Sequence, residues 1–137
     1  MTQDVAPLAG GGLDDAAKLT VAARYAAATR SNDADAFLAL CAPDAVTWHN
    51  TDDRAEPVAN TAKGMAWLHR KVPDLSWTDV ALLPTPTGFV SQTVMTGTAA
   101  GGSLRIHSCV IVTLDDSGLV TRIDEFLDPA QTAPLRS

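Results

Sequence analysis

The sequence predicts a single α+β domain: a cone-shaped, strongly curved antiparallel sheet with about three N-terminal helices covering one face. Three observations predict it. Helical periodicity fills the first half of the chain and strand alternation the second, an order that opposes a parallel sheet built from repeating strand–helix units. The turn signals Pro84-Thr85-Pro86-Thr87-Gly88, Ala100-Gly101-Gly102 and Asp115-Asp116-Ser117-Gly118 separate the apolar runs of the second half, which predicts a meander. A chain of 137 residues, 46% of them hydrophobic, is one domain long and buries about two thirds of its unfolded surface without staples.

Residues 1–12, with Pro7 and three glycines at 10–12, are expected to form a disordered leader, residues 13–129 the domain, and 130–137 a C-terminal tail. The first helix starts near Asp14 or Asp15, which suit a helix N-terminus by capping and by charge. Leu13, Ala17, Val21, Tyr25 and Ala28 then share its apolar face. Ser31-Asn32 breaks it, and Asp33 caps a short second helix with Phe37, Leu40 and Cys41 on one side and Pro43 as its stop. A strand follows at 45–50, then a polar loop, then a third helix capped by Asn60 or Thr61 and stopped by Pro73. Four further runs read as strands: SWTDVALL, GFVSQTVMTGT, LRIHSCVIVTL and LVTRIDEFL. Helices over a curved sheet leave a cone whose open end is a natural pocket.

Charge and cysteines bound the partners. A net charge of −6 with no basic block opposes nucleic acid and an anionic membrane surface alike. No stretch approaches the roughly 18 apolar residues of a membrane span, and the segment around Asp4 lacks a secretory pattern. Cys41 and Cys109 each sit in an apolar run without CxxC spacing and read as buried free thiols. A cytoplasmic protein is therefore expected.

The segment VAARYAAATRSNDADAFLALCAPDAVTWHN, residues 21–50, carries a helix with Arg-Tyr, a short break before an Asp, a helix ending in a small residue and an Asp-led strand. It resembles the nuclear transport factor 2-like, or SnoaL-like, family: ketosteroid isomerases, SnoaL-type polyketide cyclases and limonene epoxide hydrolases. The last strand, SGLVTRIDEFLDP, is similar to that of SnoaL-like proteins, and the resemblance runs over about residues 16–129. It implies one pocket for a small apolar ligand, and a homodimer. Tyr25 matches the isomerases' oxyanion-donating tyrosine, and His49 stands at their general-base carboxylate. Val110 stands where they keep a protonated aspartic acid, the handiest example of a carboxylic acid held neutral to donate a hydrogen bond; a valine donates nothing. Glu125 stands where the cyclases and hydrolases place a catalytic aspartate. Val94 and Thr96 stand at the hydrolases' further Arg and Asp.

Three residues are therefore candidates for catalysis: His49, Glu125 and Tyr25. An imidazole takes a proton at neutral pH with little tuning. Glu125 shares a strand face with Ile123, so it points inward if Ile123 does; a carboxylate in an apolar pocket has its charged form disfavoured and becomes a usable acid or base. A buried phenol needs a partner, which a ligand oxygen supplies. Each has a structural alternative: a strand-end histidine, a glutamate paired with Arg122 or Arg105, a rim tyrosine. The candidate substrate contacts are Trp48 and Asn50, which turn inward if the strand register shifts by one, with Ile106, Ser108, Val110 and Ile123. His107 is expected on the opposite, subunit-pairing face and His69 in solvent. Histidines at 49, 69 and 107 give no metal spacing, and no GxGxxG, Walker loop or GxSxG supports a nucleotide cofactor or a serine nucleophile. The expectation is a cofactor-independent acid/base enzyme (isomerase, cyclase or epoxide hydrolase in type) acting on a hydrophobic polyketide, terpenoid or steroid. The alternative is a non-catalytic binding or dimeric accessory module of the same fold.

Overall fold

In the computed structural model, which describes residues 12–136, helix α1 spans Asp15–Arg30 and begins where expected: the Asp14 carboxylate accepts from the Ala17 N–H at 2.8 Å. Asp33 caps α2 (Ala34–Ala39) in the same way through Ala36, at 3.0 Å. Both carboxylates satisfy backbone donors that a helix start leaves unpaired and lie at the positive end of its dipole. The next boundaries differ from expectation. Strand β1 spans Cys41–His49, so Pro43 lies inside a strand and α2 ends at Ala39 without it. The interrupted β1–β6 register between Cys41 and Val46 accommodates a residue with no N–H to donate. The polar loop contains β2 (Arg54–Pro57), and α3 (Val58–Lys71) starts before Asn60 and Thr61, with Pro57 at its N-cap and no side-chain cap.

The remaining strands are β3 (Ser76–Thr85), β4 (Gly88–Ala99), β5 (Gly102–Leu114) and β6 (Val120–Leu127). Pro129–Leu135, all but its first residue placed in a tail by the sequence, form a 3-10 helix capped by Asp128. The six strands form one sheet in the order β2-β1-β6-β5-β4-β3. β3 to β6 are the antiparallel meander, and β1 joins it parallel to β6. Register shifts at Asp79/Ala81 and Thr113/Leu114 add local bends. The β3–β4 hairpin closes so tightly that a Cβ on Gly88 would stand 1.9 Å from the Val112 carbonyl oxygen, so only glycine fits there.

Two apolar clusters hold the helices to the concave face. One joins Ala22 and Ala28 of α1, Phe37 of α2 and Val58 and Ala62 of α3 to Phe89, Val112 and Ile123 of the sheet. The other joins Val72, Met95, Leu104 and Ile106, with Leu68, Trp77 and Leu135 against them. Leu13, Val21, Tyr25 and Ala28 pack on the first cluster as their spacing predicts. Lys18 is also buried, and its ammonium donates to the carbonyls of Thr85 and Pro86 at 2.7 and 3.3 Å. Cys41 and Cys109 are free and only half-buried. No helix among the described residues is long and apolar enough to cross a membrane.

Candidate functional site

Between the concave sheet face, α1, α3 and the 3-10 helix lies a cavity of about 490 Å³. Its floor follows from strand pairing, because residues directly opposite one another share a face. The deepest row is Phe89, Val112, Ile123 and Thr47. The next is Ser91, Val110, Glu125 and His49, and the third is Thr93, Ser108 and Leu127. Met95 and Ile106 form the next row, where the cavity meets the second buried cluster. A polar band thus crosses the floor between two apolar ones.

Within that band His49 Nε2 lies 3.1 Å from Glu125 Oε1, and Ser108 Oγ donates to Glu125 Oε2 at 3.0 Å. The pair exists because β1 runs parallel to β6 in a register that sets His49 beside Glu125. The hydrogen bond to Glu125 raises the His49 pKa above its ordinary 6.5; partial burial opposes this, and the charges of Glu125, Asp52 and Glu56 reinforce it. A carboxylate only accepts, so neutral His49 carries its proton on Nε2 and leaves Nδ1 free to take another. Beside the pair, Thr61 Oγ1 donates to Thr47 Oγ1 at 2.7 Å and ties α3 to β1 two residues before His49.

Tyr25 enters from α1, its ring 6.0 Å from both Phe37 and Phe89. Its hydroxyl has no hydrogen-bond partner among the described residues, and no side-chain oxygen or nitrogen that is fully buried lacks one, so the hydroxyl stands open to the cavity. Burial first, then the charge of Glu125 and then Cys41, push the phenol far above its usual range. It stays protonated, a donor and never a base. Burial also pushes the Cys41 thiol up to about 11, which leaves it without nucleophilic thiolate at neutral pH.

Ile106, Ser108, Val110 and Ile123 line the cavity with these groups; Trp48 and Asn50 do not. With Thr47 and His49 facing in, alternation turns Trp48 to the outer face, where it meets Phe126 at 5.3 Å and donates to Asp53 at 2.9 Å. Asn50, just past the strand, clamps the Leu127 backbone through both amide atoms, at 3.1 and 3.0 Å. Val94 and Thr96 likewise alternate away: the cavity-facing positions of β4 are Ser91, Thr93 and Met95. Glu125 pairs with neither Arg122, which binds Asp124, nor Arg105. His69 is not in solvent; its Nε2 donates to the Thr29 carbonyl at 2.9 Å and its ring lies 5.5 Å from Trp77. His107 is exposed and bonded to Gln131 of the 3-10 helix. Among the described residues no cluster of three or more His, Cys, Asp or Glu is arranged to hold a metal ion. The sequence reading missed Thr47, Thr61, Ser91 and Thr93; the only signal for the last two was the alternation of β4, which two adjacent apolar residues, Val94 and Met95, obscure.

Solved structures share this architecture. A SnoaL-like polyketide cyclase, so described, from Jannaschia sp. CCS1 superposes with a TM-score of 0.74 at 18% identity, covering 99% of both chains. AclR of Streptomyces galilaeus, described as a hydroxylase, gives 0.76 at 17% identity over 89% of this chain and 86% of its own. The BvnE pinacolase of Penicillium brevicompactum gives 0.77 at 14% identity over 87% and 88%. At such identities the likeness establishes the fold alone. No curated protein matches the chain by sequence. The model of the SnoaL-like domain matches residues 22–123, from the first helix to the middle of the last strand, and the chain therefore belongs to the SnoaL-like domain family.

Proposed function

We propose that this protein is a cofactor-independent acid/base enzyme acting on a hydrophobic small molecule inside the cone. One observation carries the reading: the 3.1 Å His49–Glu125 pair stands in an apolar-walled cavity that also holds the open hydroxyl of Tyr25. His49 takes a proton from the substrate on Nδ1. Glu125 holds the imidazole in that tautomer and stabilises the imidazolium, the role a carboxylate plays behind a catalytic histidine. Ser108 holds Glu125. Tyr25 donates to the carbonyl, enolate or epoxide oxygen on which negative charge develops. Proton abstraction beside a carbonyl, aldol-type cyclisation and epoxide opening all use this set. The SnoaL-like membership and the polyketide cyclase, hydroxylase and pinacolase descriptions of its structural neighbours agree with a polyketide, terpenoid or steroid as the substrate class.

The test follows the histidine ring resonances by NMR across a pH titration of the wild type and of Glu125→Gln, and then turnover on a panel of ketones, epoxides and polyketide-like compounds. One imidazole should titrate high and move toward 6.5 when Glu125 is replaced. Three histidines titrating independently near 6.5, or turnover unchanged in His49→Ala and Glu125→Gln, would defeat the assignment. A second reading, a ligand-binding module without turnover, is favoured by Val110 at the isomerases' acid and by the absence of any carboxylate or arginine from Ser91, Thr93 and Met95 of β4; it predicts binding without conversion across the same panel.

The outer sheet face fits a second copy of the chain. Trp48 and Phe126 pack edge to face there, and Phe126 and Ile111 are each about 40% exposed, which makes an apolar patch of the kind that protein–protein contacts cover. Sedimentation should give a dimer for the wild type and a monomer for Ile111→Glu/Phe126→Asp; a wild-type monomer removes the proposal.

A further inference from the structure

The polar band reaches beyond the His49–Glu125 pair, and its far end is unused by the chemistry above. Thr93 of β4 lies directly opposite Ser108 of β5, and Ser91 opposite Val110. Both side chains line the cavity. Unlike Ser108, Thr47 and Thr61, which bond to one another or to Glu125, the Ser91 and Thr93 hydroxyls have no partner among the described residues. Neither is sealed from the cavity, since every fully buried side-chain polar atom among the described residues is paired. Around them the wall is apolar: Phe89 on one side, and Met95, Trp77 and Leu135 of the second cluster on the other.

A ligand that fills the cone displaces the water these hydroxyls would otherwise bind. If it offers only hydrocarbon there, two polar groups lose their partners, at about 1–3 kcal/mol each. If it offers oxygen, they become a positive determinant of binding, because a site built to hydrogen-bond a substituent discriminates strongly against the analogue lacking it. β4 and β6 are separated only by β5, which sets Ser91 about 10 Å across the sheet from Glu125 and Thr93, one row along, about 12 Å from it, the span of an extended polycycle. The geometry points to Ser91 and Thr93 as a second polar subsite that binds an oxygen substituent at the end of the ligand remote from His49, so that the favoured ligand is a rigid polycyclic or extended aromatic compound oxygenated at both ends. A terpene or ketone with a single oxygen is then a poor ligand. This inference rests on the reading of the cavity as a ligand site.

The two can be separated with a pair of probes. Anthraflavic acid has a hydroxyl on each outer ring of a tricyclic quinone; its analogue lacks one of them. Trp67 and Trp77 line the cavity and Trp48 does not, so quenching of intrinsic fluorescence reports occupancy. The wild type should bind anthraflavic acid at least about tenfold more tightly than the analogue, about 1.4 kcal/mol. Ser91→Ala/Thr93→Val should reduce that preference to within about twofold, by weakening anthraflavic acid and by relieving the unpaired hydroxyls that face the analogue. Thr93→Ser, which keeps a hydroxyl, should retain the preference. Equal affinities in the wild type, or a double variant that weakens both probes alike, would overturn the subsite and leave the ligand cavity standing. Absence of quenching by either probe would overturn the cavity reading, and the subsite with it.

Discussion

Phe89 and Ser91 stand two residues apart on the same face of β4, yet they belong to different parts of the molecule. The row that runs from Phe89 through Val112 and Ile123 to Thr47 is sealed from solvent by α1, α2 and α3 at the deep end of the cavity, and its members are 2% exposed or less. The row that runs from Ser91 through Val110 and Glu125 to His49 has the same strands and the same alternation, but the helices do not close over it, and it forms the floor of the cavity. In a sealed row a side chain contributes by excluding water and filling volume. In an open row the polar groups are held ready by neighbours (Ser108 and His49 on Glu125) and left partly unsatisfied. Stability and chemistry are thus separated by one step along a strand.

Substitutions on the two rows should therefore have opposite signatures. Phe89→Ala or Phe37→Ala leaves a large void among packed rings and should cost about 3–5 kcal/mol in urea unfolding, while Ser91→Ala should stay within about 0.5 kcal/mol. A soft response at Phe89 would mean that the deep row is not closed. Glu125→Gln keeps the shape but loses the charge behind His49. It should reduce turnover by about 100-fold or more on whichever compound of the panel is converted and shift the unfolding midpoint little. A large loss of stability with unchanged turnover would place Glu125 in the scaffold rather than in the chemistry.

What could be read in advance followed locality. Asp14 and Asp33 announce helix starts because capping depends on residues three apart. Glu125 could be set on the face of Ile123 by counting twos along one strand. His49 was harder, because its strand ends in Trp48-His49-Asn50 and nothing local states which face that end presents; only pairing with β6 decides it, and that excludes Trp48 and Asn50 together. β4 is ambiguous for a related reason. Val94 and Met95 are both apolar and both buried, so the strand offers two plausible inward faces, and the one carrying Ser91 and Thr93 is chosen by the cross-strand register with Val110 and Ser108. β2 is short and polar and exists because β1 supplies its partner.

Lys18 is the extreme case of non-local placement. Its two acceptors lie 67 and 68 residues away in the β3–β4 turn, and a lysine on an alanine-rich helix reads as a solvated charge. Lys18→Met keeps the stem's packing and strands the Thr85 and Pro86 carbonyls. It should cost about 1–3 kcal/mol in urea unfolding, with ligand binding in the cavity unaffected; no cost would mean that the turn closes without the ammonium.

The smallest expected effect separates the two rows by pH. His49 has a folded-state pKa above 6.5 because it gains Glu125 as a partner. A group whose pKa rises on folding binds its proton more tightly in the native state, so its contribution to stability is fully present below about pH 6.5 and is lost as pH climbs through the raised value. Both side chains are a quarter to a third exposed, so solvent screens the pair and the slope should be shallow. Urea midpoints of the wild type should therefore decline gently above about pH 6.5, and those of Glu125→Gln should be flatter in that window. Phe89→Ala, far weaker overall, should keep the wild-type slope, because the sealed row contains no group that titrates there. A wild-type midpoint that rises across that window would mean that His49 is held neutral in the fold, which would leave Glu125 without its hydrogen-bonded cation.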